Sequence, residues 1–149
     1  LCQCQPIVDL GQVGSALPGE PQLLHSLLEL NFLPIIASIG ADENGELVNV
    51  NADNAASAVC QLVDGELVFL SDVDGVLDKS GSLLPELNFT TATSLMAQGV
   101  ISGGMKVKIQ SALDSSRQLR RSIAVTGWQE PAALLSLAKG LPVGTRISA

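Results

Sequence analysis

Residues 66–77 read ELVFLSDVDGVL, and this stretch decides the fold. Four consecutive apolar residues, Leu67-Val68-Phe69-Leu70, run straight into Ser71-Asp72-Val73-Asp74-Gly75. That is the pattern of a buried parallel strand opening into a polar loop at its carboxyl end. In an open α/β sheet, ligands bind just beyond such strand ends. Two neighbouring stretches carry chemistry of the same kind: Asn49-Val50-Asn51-Ala52-Asp53 before it and Gly103-Gly104-Met105-Lys106-Val107-Lys108 after it. Together they supply carboxylates, amides, backbone N–H groups and lysines, an inventory suited to holding a phosphate ester and moving its phosphoryl group.

On the amino-terminal side, residues 3–8 and 12–17 predict a β-hairpin around Asp9-Leu10-Gly11. Pro18-Gly19-Glu20-Pro21 breaks the chain, and Leu23, Leu24, Leu27, Leu28 and Leu30 then recur at helical spacing with Pro21 in the first turn. His25, on that helix, reads as a surface or half-buried side chain, since nothing nearby would orient it as a base. Residues 33–39, LPIIASI, predict a second buried strand, and Asp42-Glu43-Asn44-Gly45 a hairpin turn in which Asn-Gly takes positive φ. The returning strand, 46–50, delivers Asn49 and Asn51 on one face because strand side chains alternate. Residues 53–62 predict a helix with Asn51 or Asp53 as its cap.

On the carboxyl-terminal side, residues 90–98 predict a short helix capped by Thr90 or Thr91 and stopped by Gly99. Residues 105–119 predict a longer one with Val107, Ile109, Ala112, Leu113 and Ser116 facing inward. Lys106 and Lys108 fall in its first turn, where the macrodipole disfavours cations unless an anion binds at Gly103-Gly104. Residues 123–126 predict a third buried strand, 131–138 a last helix, and Gly144-Thr145-Arg146-Ile147 an edge strand or turn. Strands and helices alternate through most of the length, which points to an α/β fold: a mainly parallel open sheet sandwiched by helices, with appended β-hairpins.

Composition narrows the function. With 149 residues, 46% hydrophobic and 15% charged, the chain reads as globular and long enough to bury a core. A net charge of −7 with eight Lys+Arg leaves no basic face to neutralise a run of phosphates, which argues against nucleic acid. No apolar run approaches the roughly 20 residues that span a bilayer, and the expectation is a cytoplasmic protein. Cys2, Cys4 and Cys60 form no even disulfide framework. A zinc site at Cys2-x-Cys4 would need two more ligands, and the only histidine is His25. We therefore expect reduced, structural thiols and assign no metal ligand.

Ser71-Asp72-Val73-Asp74-Gly75 after an apolar strand resembles the first motif of the haloacid-dehalogenase-like phosphatases, which would make Asp72 a nucleophile and Asp74 a general acid. Those enzymes also use an acidic pair on a later strand, and the strand at 123–126 ends in Gly127-Trp128-Gln129. A broader resemblance spans nearly the whole chain. Asn49-Val50-Asn51-Ala52-Asp53, then Leu70 through Leu77, then Gly103-Gly104-Met105-Lys106-Val107-Lys108, then Gly144-Thr145-Arg146-Ile147 are similar, in order, to the motifs of the amino-acid kinase family. Within it the similarity is greatest to the branch that uses ATP to phosphorylate the γ-carboxylate of N-acetyl-L-glutamate in arginine biosynthesis. Carbamate, aspartate and glutamate kinases are less similar at the Asn49–Asp53 stretch and at the Gly144-Thr145-Arg146-Ile147 ending.

The resemblance implies roles residue by residue. Asn49 and Asn51 would bind N-acetyl-L-glutamate, Asp53 would orient the catalytic lysines, and Lys108 would stabilise the phosphoryl group in flight. Asp72, Val73, Asp74, Gly75, Val76 and Leu77, with Val100, Ile101 and Ser102, would line the site for ATP with Mg²⁺. Lys106 receives no role. The family's Lys-x-Gly-Gly strand, its second glycine-rich turn and its carboxylate-gripping arginine have no counterpart among the 149 residues. The resemblance thus implies the C-terminal portion of such an enzyme: residues 1–62 as the tail of the substrate lobe and 63–149 as the nucleotide lobe, with a homodimer formed largely through the other portion. A non-catalytic module that binds nucleotide without turnover is the alternative outside the enzymes.

Overall fold

The computed structural model describes residues 3–17 and 19–149. Expectations at Cys2 and Pro18 lie outside the described residues. The chain divides into two compact units, Leu1–Glu66 and Leu67–Ala149.

In the first unit, β1 (Cys4–Pro6) and β2 (Val13–Ala16) form the expected antiparallel hairpin. Helix α1 (Gln22–Glu29) starts behind Pro21, with His25 on its exposed side. Strands β3 (Ile39–Ala41) and β4 (Leu47–Val50) are antiparallel, and β4 runs parallel to β2, giving the order β1-β2-β4-β3. Helix α2 (Ala52–Val63) follows β4 directly, so the expected lobe boundary at 62/63 falls in its last turn. Cys4, Val48 and Val50 form the buried centre, with Ala16 and Ala55 packed against it. Cys4 and Cys60 are buried reduced cysteines, and the Cys60 thiol donates to the Gly65 carbonyl at 3.1 Å.

Two expectations for this unit are corrected. The run at 33–39 is not a buried strand: residues 32–37 carry no regular structure, and the strand begins only at Ile39. Leu33 is 86% and Ile35 93% exposed. A strand needs a ladder partner, and the one available on this side, β4, has already turned into α2. In the turn between β3 and β4, Gly45 alone takes positive φ, at 83°. The Asp42 carboxylate replaces the second such residue by accepting the N–H groups of Asn44 and Glu46, both at 2.9 Å.

The second unit contains β5 (Val68–Ser71), β6 (Glu86–Asn88), α3 (Phe89–Ala97), α4 (Gly103–Leu119), β7 (Ile123–Gly127), α5 (Pro131–Ala138) and β8 (Thr145–Ser148). Its sheet has the order β5-β7-β8-β6, with β5/β7 and β6/β8 parallel and β7/β8 antiparallel. Both sheets are thus mixed. The α/β class stands, while parallel pairing is interrupted where neighbours meet head to tail. Strand β7 is buried at every position, and Leu87, Ile109, Leu113 and Ile147 are also buried.

Here too the structure departs from the sequence reading. Strand β5 lies at the sheet edge and is buried on one face only, with Leu70 41% exposed. Strand β8 is interior, not an edge, and β6 was not anticipated. The caps differ as well: Asn88, not Thr90 or Thr91, caps α3 by accepting the Thr91 N–H at 2.9 Å. Helix α4 begins at Gly103, two residues earlier than expected, so Lys106 lies near its start and Lys108 lies half a turn further along. Val107, expected inward, is exposed, whereas Ile109, Ala112, Leu113 and Ser116 are buried. Among the described residues no helix is long and apolar enough to cross a membrane.

Candidate active site

Because β5 and β7 are parallel, their carboxyl ends share one edge of the sheet. The loop leaving β5 exposes Asp72, Val73 and Asp74 and then buries Gly75 and Val76. Buried anchors hold this exposed arc in place. The Val76 N–H donates to Thr145 Oγ1 at 2.8 Å, and the same hydroxyl donates to the Leu84 carbonyl at 2.7 Å. Trp128 N–H donates to the Ser71 carbonyl at 3.0 Å, and Gln129 Nε2 to the Asp72 carbonyl at 3.3 Å. Gly75 has φ of 151°, and a Cβ there would sit 2.6 Å from Leu83 Cδ1 and 2.7 Å from Thr145 Oγ1. Only glycine fits that position.

Lys108 comes to the same edge from α4. Its ammonium donates to the Leu70 carbonyl at 2.9 Å and lies 5.9 Å from the centre of the Phe69 ring, within cation–π range. This places a positive charge just before the Asp72–Asp74 arc. Residues 100–102 lead into α4: the N–H groups of Val100 and Ile101 donate to the Leu95 carbonyl, Ile101 is buried, and Ser102 is exposed. Ser102 is the N-cap but makes no side-chain cap bond, and a Cβ on Gly103 or Gly104 would meet nothing within 4 Å. The first N–H groups of α4 are therefore open to an anion.

A cleft of 640 Å³ adjoins the arc, lined by Asp74, Leu83, Pro85 and Glu86, by Thr126, Glu130 and Ala133, and by residues 142–144 and Arg146. Its carboxylates repel a bare polyphosphate and suit one whose charge a divalent cation has reduced, so the donor set fits a nucleotide carried with Mg²⁺.

In the first unit, Asn49 lies exposed on β4, opposite in facing to the buried Val48 and Val50. Asn51 settles which residue caps α2: its Oδ1 accepts the N–H groups of Asp53 at 3.0 Å and Asn54 at 3.1 Å. The Asp53 carboxylate, half-buried in the first turn, has no hydrogen bond or ion pair among the described residues. The sequence reading did not single out Thr145 and Gln129 as parts of the loop's support. Thr145 belongs to a noted motif, but nothing in sequence shows that one hydroxyl bridges two backbone groups more than 60 residues away.

Just past the arc lies the Asp78 carboxyl, whose acidity its neighbours perturb. Asp78 Oδ1 accepts Ser80 Oγ at 2.6 Å, Ser80 N–H at 2.8 Å and Ser82 N–H at 3.0 Å. The Ser80 hydroxyl, followed by the Ser82 N–H, holds this carboxyl below the ordinary range.

Residues 2–127 match the model of the amino acid kinase family. The acetylglutamate kinase of Colwellia psychrerythraea is 53% identical over 139 residues, covering 93% of this chain and 54% of that protein. That of Moritella profunda is 48% identical over 144 residues, covering 97% and 54%. The chain thus spans about half the length of the curated relatives it matches. Among solved structures, N-acetylglutamate synthase from Neisseria gonorrhoeae superposes with a TM-score of 0.82 at 21% identity, over 99% of this chain and 36% of that one. Giardia carbamate kinase superposes with a TM-score of 0.62 at 19% identity, over 91% and 50%. At such identities these two likenesses speak to the fold alone. With a family model covering most of its length, the chain belongs to the amino acid kinase family.

Proposed function

We propose that this chain is the nucleotide lobe and part of the substrate lobe of a cytoplasmic kinase that transfers the γ-phosphoryl group of ATP to the γ-carboxylate of N-acetyl-L-glutamate, a step of arginine biosynthesis. The observation that carries the reading is Lys108, whose ammonium is fixed on the Leu70 carbonyl beside the exposed Asp72–Asp74 arc. The activity of the relatives and the order of the motifs support it. In this reading residues 63–149 bind nucleotide through Asp72, Val73, Asp74, Gly75, Val76, Leu77, Val100, Ile101 and Ser102. Residues 1–62 contribute Asn49, Asn51 and Asp53, and the whole protein is a homodimer.

The chemistry asks little proton transfer of the protein. A γ-carboxylate with an ordinary pKa of about 4.3 is already ionised at neutral pH, so the nucleophile needs no general base. The reaction brings two anions together, and the barrier is lowered mainly by positioning and by neutralising charge. Lys108 supplies a fixed cation for the transferring group, and the open N–H groups at the start of α4 supply partial positive charge. Mg²⁺ bound with the nucleotide would supply further positive charge beside the Asp72–Asp74 arc. The Asp53 carboxylate, free of capping duty, is available to orient a lysine. Asn51 spends its Oδ1 on α2 and keeps its amide hydrogens for the substrate, while Asn49 keeps its whole amide.

The test is calorimetric titration with MgADP of the wild type and of Asp72→Ala. Saturable binding that weakens with the substitution supports the reading. A folded wild type that binds no MgADP sinks it for this chain, and phosphatase turnover abolished by Asp72→Ala would replace it.

A further inference from the structure

The eight cations of the chain are four lysines and four arginines, and the arginines gather at one place. Arg117, Arg120 and Arg121, with Ser116, Ser122 and Ser148, line a cleft of 400 Å³ where α4 ends, β7 begins and β8 finishes. Arg146 reaches the same wall, its Nη1 donating to Ser122 Oγ at 3.0 Å. The cleft lies at the opposite end of β7 from the Asp72–Asp74 arc, a strand length of about 13 Å away. Its lining holds no carboxylate side chain. Asp114, outside the lining, meets Arg117 at 3.5 Å, and the same guanidinium lies 5.4 Å from the centre of the Phe89 ring. Arg120 has φ of 53°, the left-handed cap where glycine is usual, and its N–H donates to the Ser116 carbonyl. The Arg121 N–H donates to that carbonyl too, at 3.2 Å, so consecutive arginines turn onto one wall. Ser116 is buried, and its hydroxyl accepts the Ala149 N–H at 3.1 Å. The Ser116 and Ser122 hydroxyls thus act as acceptors, and their own protons have no acceptor among the described residues.

We propose that this cleft is a second anion site of the chain, separate from the candidate active site, and that it takes a phosphate-class dianion, free or as the ester end of a small molecule. Arg120 and Arg121 donate forked N–H pairs to its oxygens, and the Ser116 and Ser122 hydroxyls add their uncommitted protons. The negative end of α4 accounts for a cation such as Arg117 in its last turn. It does not account for a concave wall in which every polar side chain can donate. That wall complements an oxyanion, and guanidinium suits such a ligand better than ammonium because its planar fork matches two oxygens at once. None of the roles proposed for Lys108 or the Asp72–Asp74 arc enters this site, so the two readings fail separately.

The experiment titrates the isotope-labelled chain with sodium phosphate at constant ionic strength, with sodium chloride as the control, and follows amide and arginine Nε–H signals by NMR. The expected result is saturable shifts at Arg120, Arg121, Ser122 and Ser148, with half-saturation below about 10 mM. Arg120→Gly removes one fork and relaxes the left-handed cap, so it should leave the chain at least as stable in denaturant while weakening phosphate at least about fivefold. Binding lost from a variant of undiminished stability is not misfolding. Arg121→Lys, which keeps the charge and loses the fork, should weaken phosphate as well. Methyl phosphate separates the two sources: binding equal to that of inorganic phosphate admits an ester, and binding of inorganic phosphate alone assigns the free ion. Shifts that never saturate, that chloride reproduces, or that Arg120→Gly and Arg121→Lys leave unchanged overturn the site. So do shifts confined to residues 103–108, which would place the anion at the start of α4. An acidic peptide such as hexaglutamate that shifts the arginines where phosphate does not would also overturn it, by assigning the cleft to a protein segment.

Discussion

The ammonium of Lys108 donates to the carbonyl of Leu70 at 2.9 Å, joining the second turn of α4 to the end of β5 across 38 residues of sequence. The bond takes a long, flexible cation and holds it at the strand end where the polar arc begins. A charge that is already placed loses less on meeting a phosphate than one that must first be ordered.

Lys108→Met keeps an unbranched apolar side chain and removes the charge that lies over the Phe69 ring. If the complete protein has the proposed activity, kcat should fall roughly 10²–10³-fold with KM for N-acetyl-L-glutamate changed little, the pattern of a group that acts mainly in the transition state. Steady-state kinetics checks this. A loss confined to KM would move Lys108 from catalysis to ground-state binding.

Gly75→Ala should destabilise this chain by about 2–4 kcal/mol, from strain at φ of 151° and overlap with Leu83 and Thr145. Denaturant unfolding measures it. Unchanged stability would mean that the loop relaxes at no cost and that its form is not set by these contacts.

Thr145→Val removes the hydroxyl shared by Val76 and Leu84 and leaves a buried N–H unpaired, for an expected loss of about 1–3 kcal/mol. Thr145→Ser should retain most of the stability. If the arc binds nucleotide, the valine variant should also bind MgADP more weakly by calorimetry, although residue 145 need not touch the nucleotide.

Asn51→Ala should lose about 1 kcal/mol by uncapping α2, whereas Asn51→Asp restores the cap. If Asn51 binds substrate as proposed, the aspartate variant of the complete protein should still bind N-acetyl-L-glutamate poorly, because it replaces amide hydrogens with charge. Normal KM with normal stability in Asn51→Asp would confine this residue to capping.

Asp78 gives a pH signature. Its folded carboxyl is held below the ordinary value, so the unfolded chain takes up the proton at higher pH than the folded one. The stability it contributes is present above the ordinary carboxylate range and is lost as pH falls through the lowered value. Asp78→Asn should flatten the stability profile below about pH 5, read by urea midpoints at successive pH values. A profile identical to the wild type would show that the turn contributes no proton linkage.

Sequence alone determined the elements whose signals are local. Apolar runs, Pro21, Gly99 and Gly140 marked helices and strands, and the ordered motifs named the family, because propensity, capping and motif spacing act within a few residues. Even the carbonyl that would receive Lys108 lies in the quoted stretch. Tertiary structure alone decided what depends on neighbours. It placed β8 inside the sheet, left β5 at an edge, and gave Thr145 its bridging role. It also left residues 33–37 bare, although their composition is that of a buried strand. Burial and ladder pairing are properties of the partner as much as of the segment, and residues 33–37 have no ladder partner among the described residues.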